Sequence, residues 1–181
     1  MNIIKTKFKD CLLIEPSFFD DSRGLFFETF KKNQLESALG FAIEFVQENT
    51  SISKKGVLRG LHFQKNTAAQ AKLVTVQQGE VLDVVVDLRP KSETFKQHLK
   101  FILSDKNHNS LFIPKGMAHG FLALTDNTVF NYKCDNYYNP QMEAGIIFND
   151  SDLEIEWDYP INDLIISKKD LLLPSLKSVI K

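Results

Sequence analysis

The chain has 181 residues, of which 43% are hydrophobic and 25% are charged, and its formal net charge is −1. This is typical of one globular domain with a sizeable core. Without a block of basic residues, nucleic acid is not expected as a partner, because its binding depends on dense lysine and arginine. No apolar run approaches the roughly 20 residues that span a bilayer, and the N-terminus lacks a secretory-signal pattern. We therefore expect a cytoplasmic protein with no membrane partner.

The N-terminal region mixes strand and helix patterns. Residues 7–15 predict one or two short strands, residues 20–24 a turn, and residues 25–30 a strand. Residues 31–39, followed by Gly40, are the strongest helix candidate. The two cysteines, Cys11 and Cys134, are interpreted as buried free thiols of a reducing compartment.

From residue 41 to residue 138 the pattern is almost entirely strands with short breaks. Glycine, proline, asparagine and aspartate punctuate the runs, and the chain contains 15 phenylalanines, which favour pleated surfaces. Many short strands at regular spacing predict a sandwich or barrel. The predicted strands are residues 44–46, 57–63, 73–76, 81–88, 98–103, 110–113, 120–124 and 128–132. The tail at 163–181 is expected to pack on this body as helix or loop.

Two glycine-flanked segments, residues 56–64 and 113–121, each carry a histidine. Strict alternation places His62 on the same strand face as Leu58, and Arg59 on the opposite face. A site that uses both Arg59 and His62 requires a bulge between them, which Gly60 permits. Each histidine, taken alone, fits a satisfied core or surface position better than a catalytic one.

The same segments contain part of a metal-binding pattern. The spacing from Pro114 to His119 resembles the second metal motif of the cupin superfamily, whose first motif supplies His-x-His. Here that first position holds His62 and then Gln64, so a ligand is missing. Two imidazoles are fewer than the three protein ligands of a typical catalytic zinc site, and no metal is expected.

Other polar residues remain open on spacing alone. Tyr132 shares a predicted strand face with Phe130 and fits either a hydrogen-bonded core residue or a general acid. The charges at residues 168–170 resemble a solvated cluster.

Taken together, ordered motifs along the chain resemble the dTDP-4-dehydrorhamnose 3,5-epimerase family. The resemblance runs from about residue 14 to residue 174. It is carried by segments 21–28, 47–51, 56–64, 72–74, 83–89, 113–121, 132–133 and 167–170.

The resemblance implies a mainly all-β fold, a cupin-type β jelly roll with short flanking helices, in a single domain over residues 1–181. It also implies a homodimer that exchanges N-terminal strands within about 1–50, a C-terminal tail at about 160–181, and no metal or other cofactor. The implied substrate is a dTDP-linked 4-keto-6-deoxy hexose on the route to dTDP-L-rhamnose, inverted at C3 and C5 through an enolate.

Site residues are implied in the same way. His62 is the base, Asp170 its partner, Lys72 the cation near the C4 oxygen, and Tyr132 the acid on the opposite face. Arg59 and Arg23 match pyrophosphate binding, Gln47 and Asn49 contact nucleotide or sugar, His119 lines the sugar pocket, Phe19 and Tyr138 pack on the thymine, and Lys168 contacts substrate. Arg23, Phe26 and Glu28 are expected to serve the neighbouring subunit's site.

Two alternatives stay open at this point. A monofunctional C3- or C5-epimerase would use the same residue types, and a non-catalytic cupin would bind a nucleotide sugar without proton transfer. The chain also departs from the family pattern, since segment 66–71 before Lys72 lacks the usual proline.

Overall fold

The computed structural model describes residues 1–180 and consists mainly of strands with three short helices. The strands are β1 (Asn2–Lys5), β2 (Leu12–Glu15), β3 (Phe18–Asp21), β4 (Gly24–Phe27), β5 (Gln47–Ser53), β6 (Val57–Gln64), β7 (Lys72–Gln78), β8 (Glu80–Asp87), β9 (His98–Ser104), β10 (Ser110–Ile113), β11 (Met117–Ala123), β12 (Thr128–Cys134), β13 (Glu143–Gly145) and β14 (Ile165–Ile166). The helices are α1 (Lys32–Leu39), α2 (Lys168–Leu171) and α3 (Leu176–Val179). Single 3-10 turns lie at Asn66–Ala68, Pro140–Met142 and Ile161–Asp163.

Two large sheets form the body. One has the order β1-β2-β10-β7-β12-β5, and the other has the order β13-β6-β11-β8-β9, with β14 added in parallel to β6. All other strand pairs are antiparallel, and β3 and β4 form a separate hairpin. The mainly all-β jelly roll predicted from the sequence is confirmed.

Three apolar clusters explain how the layers are held together. Between the sheets, Val74 and Phe130 from the first sheet pack with Val85 and Phe121 from the second. A second cluster covers the outer face of the β6–β11–β8 sheet, where the C-terminal region contributes Trp157 and other residues. A third lies under α1 on the outer face of the other sheet. Alternation along the strands supplies apolar side chains to both faces, as expected for covered sheets.

The helix prediction is confirmed. α1 covers Lys32–Leu39, and Gly40 caps it in the left-handed conformation with φ of 78°, donating its N–H to the carbonyl of Glu36. This is the conformation that glycine adopts most readily at a helix end.

Several predicted strands are wrong in position. The first strand lies at Asn2–Lys5, before residues 7–15, and only Leu12–Glu15 of that range is a strand. The strand predicted at 25–30 stops at Phe27, and residues 44–46 precede the strand that forms at Gln47–Ser53. The polar composition of Gln47–Ser53 hid this edge strand, since its inward residues face a cavity and not an apolar core.

A bulge in β6 corrects the predicted alternation. His62 pairs with His119 and Arg59 with Phe121, so the two residues Gly60 and Leu61 oppose the single residue Gly120. Arg59 and His62 therefore face the same side, while Leu58 and Leu61 pack in the outer cluster. Gly60 has φ of 128° and precedes a cis peptide bond.

The C-terminal tail packs on the body, as expected. Leu176 is fully buried, and its N–H donates to the buried carboxylate of Asp150 at 2.8 Å. Ile147 donates its N–H to the carbonyl of Pro174 at 3.0 Å. The interpretation of residues 168–170 as a solvated cluster is wrong for Asp170, which is buried.

We expect Gly60→Ala to lower the free energy of unfolding by about 2–4 kcal/mol, because it combines a positive φ with overpacking. The added Cβ would lie 2.5 Å from the Cα of Gly120. Gly24→Ala is the matched control, since Gly24 has φ of 119° but nothing within 4 Å of the added atom. It should cost only about 1 kcal/mol. Equal losses in chemical denaturation would contradict the close-approach argument.

Candidate active site

Two adjoining cavities open between the sheets. The larger has a volume of about 540 Å³ and the smaller about 290 Å³. They share His62, Lys72 and Tyr132 on their walls. β6 contributes the histidine, β7 the lysine and β12 the tyrosine, so three strands from two sheets converge on one space.

The central pair of the site is His62 and Asp170. Nε2 of His62 lies 2.8 Å from Oδ1 of Asp170, and the N–H of Gly60 donates to Oδ2 at 3.4 Å. Asp170 belongs to α2. The Ser167 hydroxyl caps this helix by accepting the backbone N–H of Asp170 at 3.0 Å. Because Nε2 contacts the carboxylate, Nδ1 of His62 is the ring nitrogen left to act on a ligand.

Burial controls the protonation of His62. Desolvation lowers its pKa from the ordinary value, and the negative charge and hydrogen bond of Asp170 partly offset the effect. The net direction is downward, which leaves the imidazole neutral near pH 7. A neutral imidazole oriented by a carboxylate is suited to accept a proton.

Lys72 and Tyr132 are adjacent on the cavity wall. The ammonium of Lys72 lies 5.9 Å from the centroid of the Tyr132 ring. Burial lowers the pKa of Lys72, and Cys134, Asp83 and Glu143 oppose this. Burial also raises the pKa of the Tyr132 phenol, which therefore keeps its proton. The wall thus presents a proton donor beside a cation.

A second histidine–carboxylate pair lies deeper. Nε2 of His119 is 2.8 Å from Oδ2 of Asp83, and both residues are buried. The His119 ring stacks on Phe130 at 6.0 Å between centroids, and Phe130 stacks on Phe121 at 4.1 Å. The aromatic packing and the carboxylate fix the imidazole at the wall of the larger cavity.

The smaller cavity brings together other predicted residues. Gln47 donates to Asn49 at 3.0 Å through its side-chain amide and accepts the N–H of Tyr138 at 2.8 Å. Tyr138 is half exposed, with its hydroxyl donating to Glu143 at 2.6 Å. Arg59 lines the larger cavity and donates to the Ser53 hydroxyl.

Five predicted residues line neither cavity. Four lie on or just after the β3–β4 hairpin, where Phe19 and Phe26 pair with exposed rings, and Arg23 pairs only with Asp21 of the same hairpin. The four are Phe19, Arg23, Phe26 and Glu28. The fifth, Lys168, is exposed, and its neighbour Lys169 lines the larger cavity instead.

Sequence reasoning missed several lining residues. Ser51 has a buried hydroxyl without a hydrogen-bond partner among the described residues, and it belongs to the 47–51 segment in which Gln47 and Asn49 were predicted as site residues. Phe121 and Phe130 carry no signal that separates a cavity wall from a core. Glu143 lies outside any of the motif segments, whereas Lys169 lies within segment 167–170, where Lys168 was singled out in its place.

Within residues 1–180, no group of three or more His, Cys, Asp or Glu side chains is arranged to hold a metal ion. None of the described helices is long and apolar enough to cross a membrane. Cys11 and Cys134 are free and buried, as predicted.

We expect His62 to titrate below the ordinary pKa of about 6.5 in the folded chain. Asp170→Asn should lower that pKa further, because the carboxylate is the largest influence that raises it. NMR titration of the His62 ring measures both values, with the half-buried His98, which lies outside both cavities, as an internal reference. A His62 pKa that rises in D170N would contradict the assigned pair.

Comparison with known proteins adds a family to this geometry. A model of the family described as dTDP-4-dehydrorhamnose 3,5-epimerase matches residues 5–178. The enzyme of that name from Escherichia coli K12 is 46% identical over 181 residues, covering 100% of this chain and 97% of the relative.

Solved structures agree. The structure of dTDP-4-dehydrorhamnose 3,5-epimerase from Elizabethkingia anophelis is 48% identical, with a TM-score of 0.96, and covers 100% of this chain and 99% of its own. The epimerase from Legionella pneumophila, solved in complex with dTDP-4-keto-L-rhamnose, is 44% identical with a TM-score of 0.92, covering 97% and 93%. The chain belongs to the dTDP-4-dehydrorhamnose 3,5-epimerase family.

Proposed function

We propose that this chain inverts C3 and C5 of dTDP-4-dehydro-6-deoxy-D-glucose to give dTDP-4-dehydro-L-rhamnose, a step of dTDP-L-rhamnose biosynthesis. One observation carries the proposal: a carboxylate-paired imidazole, a buried ammonium and a protonated phenol share one cavity. Pure binding of a nucleotide sugar does not require an oriented base and an acid.

The first chemical step is removal of a proton beside the ketone. The C–H bonds at C3 and C5 flank the C4 carbonyl, so the electron pair left behind is delocalised onto the C4 oxygen as an enolate. His62 takes the proton at Nδ1, and Asp170 stabilises the imidazolium that results. The lowered pKa of His62 keeps it ready to accept.

The second step returns a proton to the other face. The ammonium of Lys72 stabilises the negative charge that develops on the C4 oxygen, an interaction stronger in the transition state than in the ground state. The Tyr132 O–H donates to the carbon as the carbonyl re-forms, and the configuration inverts. His62 then holds one proton too many and Tyr132 one too few, so both reset by proton transfer with water.

The nucleotide is expected to occupy the remaining surface. The Arg59 guanidinium suits pyrophosphate oxygens, and Gln47, Asn49 and Tyr138 surround the smaller cavity. Lys168 remains a candidate contact outside both cavities. No cofactor enters this scheme, because the ketone itself acidifies the protons.

Variants of the two proposed proton-transfer residues, His62 and Tyr132, should give different results in a deuterium-uptake assay. In D₂O, His62→Ala should lose both solvent deuterium uptake at C3 and C5 and product formation, by at least about 10³-fold. Tyr132→Phe should retain uptake from the His62 face while inversion falls roughly 100-fold. His98→Ala and Tyr137→Phe, which lie outside both cavities, are matched controls expected to behave as wild type.

NMR of the recovered dTDP-sugar gives the result directly. Full activity of H62A would rule out the mechanism. Deuterium at one carbon only would identify a monofunctional epimerase. A tight complex without any uptake in the wild type would identify a binding protein.

We further propose a cytoplasmic homodimer in which the N-terminal strands of one subunit complete the site of the other. Phe19 and Phe26 are 60% and 66% exposed on the β3–β4 hairpin, an apolar pair that a second subunit would cover. The Arg23 side chain is 88% exposed and lines neither cavity of its own chain. This supports a role for Phe19, Arg23, Phe26 and Glu28 in the partner's site.

Subunit complementation tests this arrangement. Co-expression of H62A with Arg23→Ala should give roughly a quarter of the wild-type activity. About half of the dimers then contain one subunit of each kind, and in each mixed dimer one of the two sites has both His62 and Arg23. Each variant alone should be impaired. If Arg23 served its own chain, the mixture would gain nothing over the two separate variants.

A further inference from the structure

Glu143 is a charged residue of the cavity wall to which the mechanism assigns no role. Its Oε2 accepts from the Tyr138 hydroxyl at 2.6 Å and from the Lys169 ammonium at 2.6 Å. Glu143 begins β13, which pairs with β6 so that Gly145 lies opposite His62. One carboxylate oxygen therefore connects the smaller cavity, the β13 edge of the sheet that carries His62, and the C-terminal tail.

The tail side of this network is the segment that carries Asp170. α2 has four residues, and a single turn of helix has little stability of its own. Leu171 and Leu172 are exposed, and Asp170 is the one buried residue within α2 itself. The polar contacts of α2 with the body are those of Asp170 with His62 and Gly60, and that of Lys169 with Glu143.

We propose that Glu143 is a positioning residue: through Lys169 it holds α2 against the cavity so that Asp170 stays within hydrogen-bond distance of His62. The catalytic part of this inference rests on the proposed epimerase function. Through its hydrogen bond with Tyr138, the same carboxylate links the wall of the smaller cavity to the His62–Asp170 pair.

The charge of Glu143 supports this placement. Burial opposes its ionisation, but the hydrogen bonds from Lys169 and Tyr138 outweigh burial and lower its pKa. The groups that face His62 are Asp170 of α2, Glu143 of β13, Lys72 of β7, Tyr132 of β12 and His119 of β11. Of these, the two carboxylates Asp170 and Glu143 raise the pKa of His62.

Lys169→Met separates positioning from simple charge. If Lys169 holds α2, its loss weakens the Asp170 contact and the pKa of His62 falls, by about one unit. If Glu143 acts only as a nearby charge, removing Lys169 leaves the negative charge of Glu143 without its neutralising partner. That charge then favours the protonated imidazole more strongly, and the pKa of His62 rises. Because the Lys169 side chain is 61% exposed and belongs to none of the three apolar clusters, we expect its loss to change the local position of α2 and not the global fold.

Glu143→Gln keeps the side-chain shape and should lower the His62 pKa and kcat together. We expect kcat to fall roughly tenfold in both variants, through displacement of Asp170. Lys177→Met is the matched control: Lys177 also joins the tail to the body, at 2.9 Å from Asp152, but lines neither cavity. It should leave kcat, KM and the His62 pKa unchanged.

The experiment is NMR titration of His62 in the four proteins, with kcat and KM from deuterium uptake and melting temperature as a folding check. A fall in the His62 pKa of K169M, without a change in K177M, supports positioning. A rise in K169M, or equal effects in K177M, overturns it. The titration needs no substrate, so an inactive wild type would reject the proposed function while the NMR result still decides the role of Glu143.

Discussion

The hydrogen bond between His62 and Asp170 is the contact on which the site depends. It joins residues 108 positions apart, one on a central strand and one on a four-residue helix of the tail. Burial alone would leave His62 a neutral ring with no preferred orientation. The carboxylate fixes which nitrogen faces the cavity, and in the proposed mechanism it also stabilises the charged ring that proton abstraction creates. Tail docking, through Asp150 and Leu176 among others, is therefore a condition of the proposed chemistry and not only of stability.

The bulge at Gly60 is the second constraint. A regular strand would send Arg59 and His62 to opposite faces, one into the cavity and the other into the outer apolar cluster. The extra residue lets both face the cavity while Leu58 and Leu61 stay in the outer cluster. The close approach of Gly60 to Gly120 is possible because neither residue has a side chain. The same backbone also offers the Gly60 N–H to Asp170.

Much of this arrangement was predictable from the sequence, and the failures have physical reasons. Alternation correctly placed Phe130 and Tyr132 on one face, and Gly40 marked the end of α1. The strand at Gln47–Ser53 was missed because its inward side chains are polar and line a cavity. Glu143 was missed because its importance comes from a tertiary contact with Lys169, which no local spacing encodes. The roles proposed for the hairpin residues require contacts with a second subunit, which no spacing within one chain encodes.

In the proposed mechanism the base His62 and the acid Tyr132 act on opposite faces of one keto-sugar ring. The most direct measurement is a crystal structure of this chain with a dTDP-4-keto-6-deoxy hexose bound. We expect Nδ1 of His62 and the hydroxyl of Tyr132 to lie on opposite faces of the hexose, each within about 3.5 Å of a carbon next to the ketone, with the Lys72 ammonium at the C4 oxygen. A sugar bound with both rings on the same face, or beyond the reach of His62, would contradict it.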